Sequence, residues 1–564
     1  MKNIIVLILV IFLSTNLLFA QIINIPADYP TIQEGIDAAV NGDTVLVAPG
    51  IYFENIDYVG KNITLTSNFI FSNSDDDIIN TIIDGRDSAS VVTFKGDEDS
   101  TAVLLGFTIQ NGYAESGAGI FCGKTFNGPD PFLKNLIVQN NVATSSGGGV
   151  YILNSEAVMS NSLIIGNISE SNGGGICYYS NTNSGNDNLK SKIENCKIKS
   201  NTSSKGGGIF IRHTSIVLVN SIISANTSNN SGGVYVDDCN SVEIFNSDIL
   251  FNYSGNSSGG LTITDCDTVL VETTNITNNT TKYLGGGLFL KDCNNAIFNN
   301  VLFSKNKCYD YESRGAAVYA LFSSFKTINT TFADNSSGYD LIMLLEESSC
   351  DMINTICKTP NELSTLIVLG YYSGASYVSF SHCNVPQDYP AIMIWTVGSE
   401  IIIYDGNINE DSEFVAIGPH PYQITDTSPC ADAGTIDTTG LNLPEFDLAG
   451  NPRINNQRID MGVYEWDITV NTSEHISSTT NLNVKAFPNP FTTSTTFEYT
   501  LQQPSTVHIS IFNHLGEQIA EIQREQSSGI QQIIWNADGM PLGVYFYRMH
   551  AGEQFASGKI IINR

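Results

Sequence analysis

Positive charge is scarce in this sequence: 26 Lys and Arg stand against 57 Asp and Glu over 564 residues, a formal net charge of −31. A phosphate backbone is held by lysines and arginines that release its counterions, so this balance excludes ordinary nucleic-acid binding. It also disfavours docking on an anionic membrane. Charge of either sign is sparse, at 15% of residues, yet 42% are hydrophobic and 10% aromatic, so the chain has the apolar content for a large core and is not of the disordered class. Long apolar runs are missing after the first 20 residues. That opening stretch carries Lys2, an uncharged run from Ile4 to Leu13 and Ala20. It reads as a secretory signal peptide over 1–20, cut before Gln21, with an apolar run too short to span a bilayer. Cysteine is thin for a disulfide scaffold, 11 residues and an odd number. Cys239, Cys266 and Cys293 recur every 27 residues, each after an aspartate, and are expected as stacked, buried free thiols. Proline (17) is outnumbered by glycine (48), and the glycines fall in a pattern.

Triplets of small residues precede Ile120, Val150, Ile176, Ile209, Val234, Leu261, Leu288 and Val318, at spacings of 30, 26, 33, 25, 27, 27 and 30. A second track, Asn140, Asn167, Asn201, Asn226, Asn252, Asn279, Asn306 and Asn335, keeps step with the first. Apolar residues alternate over short stretches such as Val234-Tyr-Val236, the period of a strand with one buried face, and no helical period is held. Such a unit predicts one coil of a right-handed parallel β-helix, with neighbouring coils about 4.8 Å apart and equivalent residues in ladders. Glycine and asparagine are expected to supply positive φ at the corners, and stacked asparagine amides to hydrogen-bond from coil to coil. Thr31-Ile-Gln-Glu34 is a capping box opening a helix with Ile32, Ile36, Ala39 and Val40 on one face, placed to plug the first coil. From about 340 to 425 the glycine track fades into what read as irregular final coils. Residues 467–481, rich in Ser, Thr and Asn, read as a linker. Beyond it, strands over Thr495–Leu501, Thr506–Phe512, Gln531–Trp535, Val544–Met549 and Gly558–Ile562 predict a small sandwich. The expected fold class is all-β: a right-handed parallel β-helix solenoid over 21–466 with an N-terminal capping helix, then a C-terminal β-sandwich over 482–564.

Phe487-Pro-Asn-Pro-Phe491, Ile511-Phe-Asn-His-Leu-Gly516, Trp535-Asn536, Gly543-Val-Tyr-Phe546 and Lys559-Ile-Ile-Ile562 resemble the C-terminal type A sorting domain of the type IX secretion system of Bacteroidota. The resemblance implies that this tail engages the secretion machinery and routes a periplasmic passenger across the outer membrane. The passenger is then released or held at the cell surface, usually with the tail removed. Ile25-Pro-Ala-Asp-Tyr-Pro-Thr-Ile32 is similar to the opening of pectin-lyase-like β-helices. Ser428-Pro-Cys-Ala-Asp-Ala-Gly434, Asp447-Leu-Ala-Gly-Asn-Pro-Arg453 and Asp460-Met-Gly-Val-Tyr-Glu465 resemble the closing segment of choice-of-anchor Q surface proteins.

Chemistry is less legible. The Asn-Thr-Asp and Gly-His-Gly segments of polygalacturonase-type hydrolases are missing, as are methylesterase motifs and an arginine near clustered aspartates of the pectate-lyase kind. Arg212 and His213, just after the strand Ile209–Ile211, are the first candidates for catalysis and otherwise an exposed structural pair. Asp238, Asp265 and Asp292 each lie four residues after the apolar residue of a unit. In register their carboxylates would repel by about 1 kcal/mol in water and up to ~3.5 kcal/mol at an effective dielectric of 20. A Ca²⁺ ion would relieve that repulsion; the alternative is that the side chains splay into solvent and hydrogen-bond nearby amides. Tyr151, Tyr235 and Tyr319 occupy the second position of a strand, pointing outward, where they serve either as stacking platforms for sugar rings or as cover for the sheet. The leading expectation is a secreted or surface-attached, non-catalytic protein for adhesion or glycan binding, with no membrane span in the mature chain. Its alternatives are a polysaccharide lyase or hydrolase of this fold and a structural surface-layer protein.

Overall fold

A computed structural model describes residues 20–181, 189–338, 341–359, 365–370, 374–386, 392–454, 458–466, 482, 484–501, 503–513, 518–537, 539–551 and 554–563. The expected signal peptide, Ala20 excepted, and the expected linker lie outside the described residues. The chain divides into two compact units, Met1–Asp467 and Ile468–Arg564. No helix among the described residues is long and apolar enough to cross a membrane.

In the first unit each coil repeats one path. The coil that starts at Val150 runs through strands Val150–Leu153, Val158–Ser160, Leu163–Ile165 and Ile168–Ser169, the first to fourth strands of a coil. Each lies parallel to its counterpart one coil on, Val150 beside Ile176, Val158 beside Lys192, Leu163 beside Lys197 and Ile168 beside Thr202. Among the described residues, the fourth strands form a sheet of eight, separate from the sheet of 36 built by the others. Single left-handed residues make the corners: Asn154 (φ 53°), Asn161 (48°), Gly166 (66°) and Gly173 (60°) in this coil. Alternation sends Val150 and Ile152 inward, where each is at most 1% exposed. Burying such a side chain stabilises the fold by about 1.5–3 kcal/mol.

The asparagine track forms a ladder, but not as the corner residue. The left-handed residue at the third corner is the one before it: Gly166, Ser200, Ala225, Phe251, Asn278, Lys305 and Asp334. The asparagines that follow turn inward and are fully buried. The first rung is accordingly Asn141, while Asn140 is itself the corner (φ 54°). The main-chain N–H and Nδ2 of Asn226 each donate to Asn252 Oδ1 at 3.0 Å, and Nδ2 also donates to the Ile198 carbonyl at 2.9 Å. Every polar atom of the amide is used, which is what allows it into an apolar interior. The glycine track keeps step because the two tracks touch. A Cβ on Gly233 would lie 2.5 Å from the Gly260 carbonyl and 3.0 Å from Asn252 Nδ2.

All eleven cysteines are free and buried. Cys239 lies in register with Cys266. The thiols of Cys239, Cys266 and Cys293 donate to the carbonyl two residues earlier, at 3.3, 3.1 and 3.2 Å. Ser323 and Ser348 make the same bond at 2.9 and 2.7 Å. Cysteine thus stands where the next coils place serine, as a small inward side chain that satisfies a corner carbonyl.

At the start, α1 (Ile32–Ala38) is capped by Thr31 Oγ1, which accepts from Glu34 N at 3.2 Å. The Glu54 carboxylate accepts from Ile32 N and Gln33 N, both at 3.0 Å, completing the cap. Ile32 and Ile36 join the interior column, whereas Val40, placed on that face by the sequence pattern, is 47% exposed. At the far end, strands continue to Glu400–Ile403. Residues 414–454 and 458–466 fold back on the outside of earlier coils, so that Tyr422, Val463 and Tyr464 pack on Leu302 and Ala333. Arg453 pins this segment from within: its side chain is 1% exposed, Nε lies 3.2 Å from Glu465 Oε1, and Nη1 donates to the Val463 carbonyl at 3.1 Å.

The second unit holds two antiparallel sheets. One consists of Val484–Phe487, Ser494–Leu501 and Gly529–Asn536; the other of Gln518–Gln526, Ser505–Phe512, Gly543–Ala551 and Gln554–Ile562. Phe497 of the first sheet and Tyr547 of the second meet at 4.8 Å between ring centres within a shared apolar core. Val484–Phe487 and Gln518–Gln526 are additional to the five strands expected from the sequence.

Candidate functional site

Register decides which charges meet at the first corner. The last residues of successive first strands, Arg212, Asp237, Thr264 and Lys291, align in one ladder. The next residue in each coil is the left-handed corner itself: His213 (φ 58°), Asp238 (55°), Asp265 (54°) and Asp292 (52°). Aspartate tolerates that backbone better than most residues, which accounts for its recurrence there. Arg212 Nε lies 3.1 Å from Asp237 Oδ2, His213 Nε2 lies 3.1 Å from Asp238 Oδ2, and Lys291 Nζ lies 3.1 Å from Asp292 Oδ2. Thr264 Oγ1 donates to Asp237 Oδ1 at 2.6 Å. The Asp265 carboxyl is held above the usual range, first by burial and then by the neighbouring Asp292 charge. The stacked aspartates are therefore bracketed by the chain's own cations. Among the described residues, no group of three or more His, Cys, Asp or Glu side chains converges as metal ligands would.

His213 Nδ1 lies 2.9 Å from the Ser180 carbonyl, so both ring nitrogens face acceptors, and the two bonds coexist only in the doubly protonated ring. His213, Asp238, Ser180, Asn181 and Thr214 line a polar cavity of about 180 Å³. The arginine beside clustered aspartates that linear reading missed is present here, because 25 residues of sequence separate Arg212 from a partner one coil away.

The second positions of the first strands form a track on the outer face of the same sheet. Phe121 stacks on Tyr151, Phe210 on Tyr235 and Phe289 on Tyr319, with ring centres 5.9, 5.4 and 5.3 Å apart. Tyr151 and Tyr235 are half-buried, and Lys205 Nζ sits 5.7 Å over the Tyr235 ring. Tyr319 is only 5% exposed and packs with Leu284, Leu344 and Val368. The three tyrosines thus fall in three separate pairs, and the last is closed over.

Residues 485–563 match a family model described as the secretion system C-terminal sorting domain, and residues 167–342 match one described as a right handed beta helix region. No curated protein matches the chain. The sorting domain marks the chain for export by the type IX secretion system to the cell surface or the extracellular space. The chain is a right-handed parallel β-helix protein that carries a type IX C-terminal sorting domain.

Proposed function

We propose that this exported β-helix is a non-catalytic binding protein that engages extracellular glycans, in adhesion or in capture. The observation that supports this reading is the row of ring pairs along one outer face, with Tyr151 and Tyr235 half-buried on a rigid sheet. Aromatic faces held by a sheet are suited to stacking on the C–H faces of sugars, at little entropic cost. Two candidate catalytic side chains are already engaged by neighbours, Arg212 by Asp237 and His213 by Asp238. The purified mature chain is expected to be retained by immobilised neutral or acidic polysaccharides, and a Tyr151→Ala, Tyr235→Ala double variant to be retained several-fold less. No retention on any polysaccharide would refute the reading. The rival lyase or hydrolase reading has two observations in its favour, the polar cavity beside His213 and Arg212 beside the clustered aspartates. New reducing ends or unsaturated products, abolished by His213→Ala, would replace our reading with that one.

A further inference from the structure

A cavity of about 310 Å³ lies on the outer face of the second strands, lined by none of the corner charges or ring-pair residues described above. Its floor is two neighbouring ladders in register: Leu270, Ile297, Lys326 and Asp351 in one, Glu272, Asn299, Ile328 and Ile353 in the other. Its roof is Gly440–Asn442 of the segment that folds back over the coils. Asn299 ties roof to floor, its Nδ2 donating to the Leu441 and Asn442 carbonyls at 3.4 and 2.9 Å. That side chain is buried, at 1% exposure, and its Oδ1 has no hydrogen-bond partner. A buried acceptor left without a donor costs about 1–3 kcal/mol.

The lining selects the guest. Glu272 and Asp351 face the space with Lys326 as the cation, and Lys326 Nζ is already 4.0 Å from Asp351 Oδ2, so the lining offers no unpaired cation to an anionic guest. An incoming cation would face the lysine. A wholly apolar guest would leave the carboxyls, the amine and the amides of Asn294 and Asn295 without water. Leu270, Ile297 and Ile328 offer an apolar bed among these polar groups. The volume sits at the lower end of the range for small-ligand sites, about 300–1,000 Å³. Burial raises the Glu272 carboxyl, which favours the form that can donate as well as accept.

We infer that this cavity binds a neutral, hydroxyl-rich ring, one or two sugar units of an extracellular glycan. The inference rests on the glycan reading above and assigns it a site distinct from the aromatic track. The test is calorimetry and saturation-transfer NMR on the full mature chain with neutral mono- and disaccharides, with galacturonate as the acidic arm. Two variants fill the space from opposite sides, Ile297→Trp on the floor and Leu441→Trp on the roof, with thermal melting to confirm folding. Wild type is expected to bind at least one neutral sugar, and both variants to lose tenfold or more while still binding polysaccharide through Tyr151 and Tyr235. Unchanged sugar affinity in both variants overturns the site and leaves the glycan reading standing. Tighter binding of galacturonate than of any neutral sugar overturns the ligand class. A wild type that binds polysaccharide but no small sugar overturns the site alone, and one that binds neither overturns both.

Discussion

Asn252 shows how much one side chain carries. Its Oδ1 accepts from the main-chain N–H and Nδ2 of Asn226, and its Nδ2 donates to Asn279 Oδ1 and the Ile223 carbonyl. Asn252→Ala leaves the Asn226 N–H without a partner in a dry interior and opens a void beside it. A loss of about 3 kcal/mol is expected, from one or more unsatisfied groups at about 1–3 kcal/mol each, read as a lower urea midpoint. A shift too small to measure would mean that water enters the column. The sequence marks these residues because they recur, and the coil-to-coil hydrogen bonds expected of their amides are present, but the corner expected of them lies one residue earlier. The corner residue itself varies among Gly, Ser, Ala, Phe, Asn, Lys and Asp, so it leaves no repeating letter, whereas its neighbour does.

At the scale of the coil, the glycines that end the small-residue triplets let consecutive coils approach closely. Gly233 has no room for a methyl group between the Gly260 carbonyl and the Asn252 amide. Gly233→Ala should push two coils apart locally and cost about 1–3 kcal/mol, the usual range for an overfilled core. The same change at Gly42, a turn with nothing within 4 Å of the added atom, would strain only its φ of 92°. Comparing the melting temperatures of the two variants separates packing from backbone strain. The coil was legible because eight copies add up many weak signals: alternation, glycine, asparagine. The site was not. Arg212 meets Asp237 across 25 residues, and the roof over Asn299 arrives more than 140 residues later, by a fold-back with no periodic cue.

Over the whole first unit, the fold-back segment carries two buried carboxyls that make stability respond to pH. Burial raises Asp460 to about 6 and Glu465 to about 8. Carboxyls raised by folding bind protons more tightly in the native than in the unfolded chain. Their contribution is therefore fully present below the unfolded values near 4 and is lost as pH rises through about 6 and about 8. The melting temperature should fall between pH 5 and pH 9, and Glu465→Gln should flatten the upper part of that fall. A melting temperature that rises over this interval would contradict it. The asparagine ladder, finally, gives the solenoid a polarity. Each amide donates to the coil ahead and accepts from the coil behind, from Asn141 to Asn335. Aligned hydrogen bonds polarise one another in a low dielectric. The column is therefore a buried electric axis, negative toward Gly112, whose N–H meets Asn141 Oδ1, and positive toward Asn335. A coil laid down in the middle of such a stack is held by more than its own contacts, and the two ends of the column are electrically unlike.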